Sequence, residues 1–163
     1  MSERIEKMLR DYPENKRELN CLREQIEHFH GITETDMIYS MQFSQPTGER
    51  VQTSNISDKT AQIAMNYRER MEKINREWRE HLTKQYMDLE EEIRFLESAI
   101  KSLSGILPDF MSDMVMGGKT WDELCDIYHV SRTMVSKYRK KAIAELDVLY
   151  EKQTAAMIDY MLS

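Results

Sequence analysis

Apolar residues recur at spacings of three and four along most of the chain, the period of an amphipathic α-helix and not of a strand. The longest run is Tyr67, Met71, Ile74, Trp78, Leu82, Tyr86, Leu89, Ile93, Leu96, Ile100 and Leu103, with no Gly or Pro between Asp58 and Leu103. It predicts one long helix over 58–104, with Ser57 or Asp58 as its N-cap. Threes and fours alternate except for two extra fours around Leu82, a stutter-like shift that locally unwinds a coiled coil. The other faces alternate in charge from Arg68 to Glu80, as on a solvated helix. Such a helix needs a partner. The first 30 residues supply a candidate stripe, Leu19, Leu22, Ile26 and Phe29, preceded by Ile5, Met8, Leu9 and Tyr12. Pro13 separates the two groups and suits the first turn of a second helix, and Gly31 is a plausible terminator. The 13–30 stripe folding back antiparallel is one way to cover the long helix, and a second copy of the chain, a homodimer, is the other. Residues 31–57 carry Ser, Thr, Gln, Pro46 and Gly48 without a sustained period, and read as a long linker. Within it Met37, Ile38, Met41 and Phe43 are candidates for docking on a neighbouring helix, and a flexible connector is the alternative reading.

Gly105 and Pro108 end the long pattern, and a short helix over 108–116 follows, closed by Gly117-Gly118. Thr120 and Glu123 then form a Thr-x-x-Glu capping box that starts a helix with Trp121, Leu124, Cys125 and Tyr128 on its inner face. His129-Val130-Ser131 makes a three-residue turn, and Ser131 caps the next helix. In that helix Val135, Tyr138, Ala142 and Leu146 face inward. Two helices joined by so short a turn have the helix-turn-helix layout. The opposite face of the second helix shows Arg132, Thr133, Ser136, Lys137 and Lys140. Five bases and no acids lie between Ser131 and Lys141, whereas 108–128 holds five acids and one base. A recognition helix uses its N-terminal residues on base edges in the major groove, while cations further along hold phosphates. The candidate contacts to double-stranded DNA are therefore Thr120, Ser131, Arg132, Thr133, Ser136, Lys137, Arg139 and Lys140. Beyond Leu146 the helical pattern continues through Leu149, Tyr150, Met157, Tyr160 and Met161, whose apolar side chains need burial against the long helix or a second subunit.

Composition narrows the class. Five Gly and three Pro in 163 residues are too few for the turns of a β-sandwich or a doubly wound sheet. The expected class is all-α: a long antiparallel hairpin or coiled coil, then a C-terminal helix-turn-helix, with domains at 1–30, 31–57, 58–104 and 105–163. No 18-residue apolar run exists, so no membrane partner is expected. The N-terminus has no apolar core after its charges, which predicts a cytoplasmic protein rather than a secreted one. Cys21 and Cys125 are then expected as free, buried thiols. The four histidines show no ligand spacing, so neither a metal nor another cofactor is expected. No nucleophile signature is present, which argues against an enzyme. Gly118-Lys119-Thr120 imitates the end of a P-loop, but Asp113 stands where that motif needs glycine, and no strand precedes it. The net charge of −6 counts against a nucleic-acid binder until its distribution is read. The 58–103 stretch is nearly neutral, with nine bases and ten acids, and the 132–141 stretch is wholly basic.

Thr120, Glu123-Leu124, Val130-Ser131, Val135, Ala142 and Leu146 resemble region four of bacterial principal-type sigma factors. That pattern is a Thr-capped helix, an apolar turn followed by Ser, and a basic helix ending Ala-x-x-x-Leu. This chain has Cys125 where the family usually has Ala, and His129 where the family often has Gly. The whole layout is similar to the sigma-like late transcription regulators of Gram-positive phages and prophages, the ArpU/RinA-type group. The stretches 39–61 and 93–103 add to that likeness. The resemblance implies binding at a phage promoter in a bacterial host, with RNA polymerase as a further contact. The alternatives are a small-terminase-like packaging subunit and a polymerase-binding adaptor.

Overall fold

The computed structural model describes residues 2–36, 39 and 58–163, and among them every regular element is helical. The elements are α1 (Ser2–Glu27), α2 (Asp58–Lys101), α3 (Leu107–Met111), a π-helical turn (Ser112–Met116), α4 (Trp121–Tyr128) and α5 (Arg132–Leu162). The all-α class follows directly. No described helix is long and apolar enough to cross a membrane. Met37, Ile38, Met41, Phe43 and the Ser57 cap lie outside the described residues.

Two compact units divide the chain: Met1–Asn20 with Met87–Ser163, and Cys21–Tyr86. The first holds the larger core. Ile5, Leu9, Tyr12 and Leu19 of α1 are buried there, as are Ile93, Leu96, Ala99, Ile100 and Leu103 of α2. Leu107, Phe110, Met111, Val115, Leu124, Val135, Ala142, Ile143, Leu146 and Tyr150 complete that core. Apolar burial of this kind is the main favourable term in folding. Tyr12 donates to Glu97 at 2.5 Å, and Lys16 reaches the same carboxylate at 3.2 Å. Further along, Phe95 meets Tyr150 edge-on, with ring centroids 4.7 Å apart. The Ser104 amide and hydroxyl both donate to Glu145, at 3.0 and 2.6 Å, which ties the turn after α2 to the middle of α5.

Pro13 does not begin a new helix. It lies inside α1, exposed, and the helix runs through it. The ring removes one backbone donor and crowds the preceding turn, at a cost of about 3 kcal/mol in a helix interior. Burial of Leu9, Tyr12 and Leu19 on both sides of it offsets that cost. Cys21 is exposed rather than buried, because it falls between Leu19 and Leu22 and so points away from their stripe.

In the second unit the chain after α1 returns antiparallel to α2. Arg23 pairs with Tyr86 at 3.3 Å, the Ile32 backbone with Asn75, and Glu34 with Arg68 at 3.1 Å. Packing in cis is thus the arrangement this unit adopts. Asn75 accepts from the Ile32 amide at 2.8 Å and donates to its carbonyl at 3.2 Å. Gly31 has φ +70, and a Cβ there would stand 2.7 Å from the Asn75 side chain, so glycine is required twice over.

The stripe Tyr67–Trp78 is only partly covered by this partner, although Ile74 and Trp78 share a pocket with Phe29, Gly31 and Ile32. Tyr67, Ile74 and Trp78 are 37, 50 and 54% exposed. The stutter supplies the reason. Counting back by sevens from buried Leu82 leads to Asn75 and Arg68, the residues that hold the 31–36 segment. Ile74 and Tyr67 stand one residue earlier, about 100° around the helix. The C-terminal tail departs from expectation in the same way. Met157, Tyr160 and Met161 are 60, 84 and 80% exposed, and Tyr150 is the last buried side chain of α5.

The Tyr12 and Lys16 hydrogen bonds make the first unit sensitive to acid. Burial alone would raise the Glu97 carboxyl, but hydrogen bonds from Tyr12 and Lys16 and the nearby charges of Lys16 and Lys101 hold it below the usual range. A carboxyl depressed in the folded state adds stability above its unfolded pKa, and loses it as pH falls through the folded pKa. Stability should therefore drop below about pH 5, and Glu97→Gln should flatten that part of the profile. Urea midpoints measured from neutral pH downward check this. A Glu97→Gln slope equal to wild type would remove Glu97 as a cause.

Candidate nucleic-acid interface

The segment after α3 builds a small platform. Gly117 donates to the Ser112 carbonyl at 2.9 Å, the wide step of a π turn, and that turn carries Val115 into the core beside Phe110 and Met111. The predicted 108–116 helix is therefore a short α-helix followed by a π turn. Phe110 is fully buried and meets Tyr128 and Tyr138 edge-on, at centroid distances of 5.5 and 5.4 Å. One ring thus touches both α4 and α5. Tyr128 also donates to Asp113 at 2.6 Å, and burial together with that bond raises its hydroxyl pKa.

Both N-termini are capped as the sequence predicts. The Thr120 hydroxyl accepts from the Glu123 amide at 3.3 Å, while the Thr120 amide donates to the Glu123 carboxylate at 2.8 Å. The Ser131 hydroxyl accepts from the Met134 amide at 3.3 Å. Between them His129 adopts the left-handed conformation, φ 52 and ψ 46. Val130 and His129 both donate to the Cys125 carbonyl, which closes the end of α4. His129 thus carries the strain that glycine would not. His129→Gly should raise stability by about 0.5–1 kcal/mol despite the added freedom of the unfolded chain, because the left-handed penalty of a side chain is about 1–2 kcal/mol. Urea titration reads the gain, and an unchanged or lowered midpoint would refute it.

The inner faces follow the apolar spacing in part. Leu124, Val135, Ala142 and Leu146 are fully buried. Trp121, expected inside, is 39% exposed, and Cys125 is half-buried. Trp121 occupies the first turn of α4, at the margin of the platform, where the core does not reach.

The candidate contact residues fall into three groups. Thr120 and Ser131 spend their hydroxyls as caps, so each orients a helix. Arg132, Thr133, Lys137 and Lys140 are exposed on α5. Ser136 and Arg139 are half-buried. Arg139 follows fully buried Val135 by four residues, about 40° around the helix, which puts it at the edge of the core-facing stripe. Arg132 is held in place: its guanidinium meets Asp122 of α4 at 2.9 and 3.0 Å. Lys141 is exposed as well and extends the basic face. Two positioning residues escape sequence reading. Asp122 looks only like a favourable acid in the first turn of a helix, and nothing in the spacing links it to Arg132. Phe110 looks like ordinary apolar filling of a short helix.

Elsewhere Glu24, Glu27 and His28 gather their ligand atoms within 4.8 Å. All three are exposed, and their spacing on consecutive turns brings them together by helix geometry alone. No protein-family model matches the chain, and no curated protein or solved structure is similar to it. The likeness to sigma region four therefore rests on the residues themselves.

Proposed function

We propose that this chain is a sequence-specific DNA-binding transcriptional regulator of phage or prophage genes, reading the major groove with the first turns of α5. The observation that carries the proposal is the exposed face of Arg132, Thr133, Lys137 and Lys140 at the capped start of a helix free of acids until Glu145. A short capped α4 and a left-handed turn present that face, the layout in which a second helix enters the groove. Exposed lysines and Arg132 supply phosphate contacts, and Arg132 and Thr133 at the helix start are placed for base edges. The acidic total is compatible with this, because phosphate attraction acts over about 10 Å at moderate salt and is set by the local face. The sigma-like pattern of Thr120, Val130-Ser131, Val135, Ala142 and Leu146 adds promoter DNA and RNA polymerase as the setting.

Selection of bound duplexes from a randomised pool tests the proposal. Enrichment of one short motif, protected on its major-groove side, is the expected result. Recovery of no motif would overturn the proposal, and assembly into a ring of eight or more subunits would replace regulation with packaging.

A further inference from the structure

We propose that the exposed stripe of α2, Tyr67, Met71, Ile74 and Trp78, joins two copies of this chain helix to helix in antiparallel orientation. Tyr67, Ile74 and Trp78 are 37, 50 and 54% exposed within the second unit, and Met71 is half-buried. Ile74 and Trp78 line an apolar pocket of about 380 Å³ together with Phe29, Gly31, Ile32 and Asn75. Four large apolar side chains in a row at spacings of four, three and four are the seam of a coiled coil, not scattered surface residues.

The flanking charges select the partner and its direction. Written as a heptad, Tyr67 and Ile74 take d, Met71 and Trp78 take a, and the g positions are Arg70 and Glu77. The e positions Arg68 and Asn75 are already engaged, with Glu34 and with the Ile32 backbone. A parallel pair sets each g residue against an e residue of the other helix. Arg70 then meets Asn75, and Glu77 meets Leu82, with no ion pair. An antiparallel pair sets g against g, so Arg70 of each copy meets Glu77 of the other, twice by symmetry. The same alignment puts Trp78 across from Tyr67 and Met71 across from Ile74. Glu77 is free to reorient, since its ion pair with Lys73 is long, 3.8 Å, and exposed. The stripe is thus complementary to itself in one direction only, which commits it to a second copy of this chain. Four side chains per copy make a small interface, so association belongs in the micromolar range.

Sedimentation velocity of the full chain without DNA tests this, so its outcome is independent of the DNA-binding reading. Wild type should pass from monomer to dimer as concentration rises. Arg70→Glu puts two pairs of like charges face to face and should weaken the dimer by about tenfold or more. Arg70→Glu/Glu77→Arg restores both pairs and should return the affinity to within about threefold of wild type. Ile74→Lys, at an exposed position, should keep the helical circular dichroism and stay monomeric. A wild type that remains monomeric, because another part of the chain or a different protein covers the stripe, would overturn the proposal. So would a charge-swapped double variant no better than Arg70→Glu.

Discussion

Arg132→Ala/Lys137→Ala is expected to bind its DNA target about a hundredfold more weakly than wild type, with the salt dependence reduced as well. Each phosphate contact contributes about −0.9 to the slope of log affinity against log salt, so losing two should flatten the slope by about two. Both side chains are exposed on one face of α5, and neither belongs to the core, so the fold should survive the change. Mobility shifts at several salt concentrations, on the duplex recovered by selection, measure both quantities. The geometry adds a control. Asp122 holds the Arg132 guanidinium at 2.9 Å, and Asp122→Asn releases it while removing a negative charge beside the basic face. If Arg132 reads a base edge, Asp122→Asn should broaden the motif even where total affinity rises. If it holds only phosphate, affinity should rise and the motif stay unchanged. Full binding by the double variant would remove α5 as the recognition helix.

Phe110→Ala is expected to be the most damaging single substitution in the helix-turn-helix, at about 3–5 kcal/mol. The ring is completely buried and stands edge-on to both Tyr128 and Tyr138, so its loss opens a cavity and removes two aromatic contacts together. Natural domains are stable by only about 5–15 kcal/mol, so the variant should be largely or partly unfolded at physiological temperature. Chemical denaturation followed by circular dichroism gives the loss directly. Tyr128→Phe separates the ring from the hydroxyl. It keeps the edge contact with Phe110 and gives up only the Asp113 hydrogen bond, and should cost about 1 kcal/mol. A Phe110→Ala loss no larger than that of Tyr128→Phe would mean that Phe110 does not join α4 to α5.

Most of the candidate interface is legible in the sequence because it is built from local interactions. Thr120 and Glu123 stand three residues apart, as do Ser131 and Met134, and each pair closes its hydrogen bonds within one turn. The inward positions Val135, Ala142 and Leu146 come from helical period, and their burial follows. Even the left-handed turn is visible, since His129 stands where sigma-like sequences often carry glycine. The features that local spacing does not reveal are set by packing. Pro13 marks a break by local rules, yet packing on both sides carries α1 through it. Trp121 and Cys21 are apolar enough to expect inside, but their exposure depends on how far the neighbouring core extends. The tail beyond Tyr150 keeps an apolar pattern that no described element covers.

Local spacing is enough to give the all-α class, the caps, the turn and the basic face. These depend on residues within about one helical turn of each other, where backbone geometry leaves few choices. The side of α2 that meets the returning chain, the hold of Asp122 on Arg132, and the contact of Phe110 with both α4 and α5 come only from the packing of whole helices. In each case residues far apart in sequence are brought together, or kept apart, by the direction in which whole helices pack. A stripe can be read from its spacing; whether a neighbour covers it is decided by a rotation of about 100° at a single stutter.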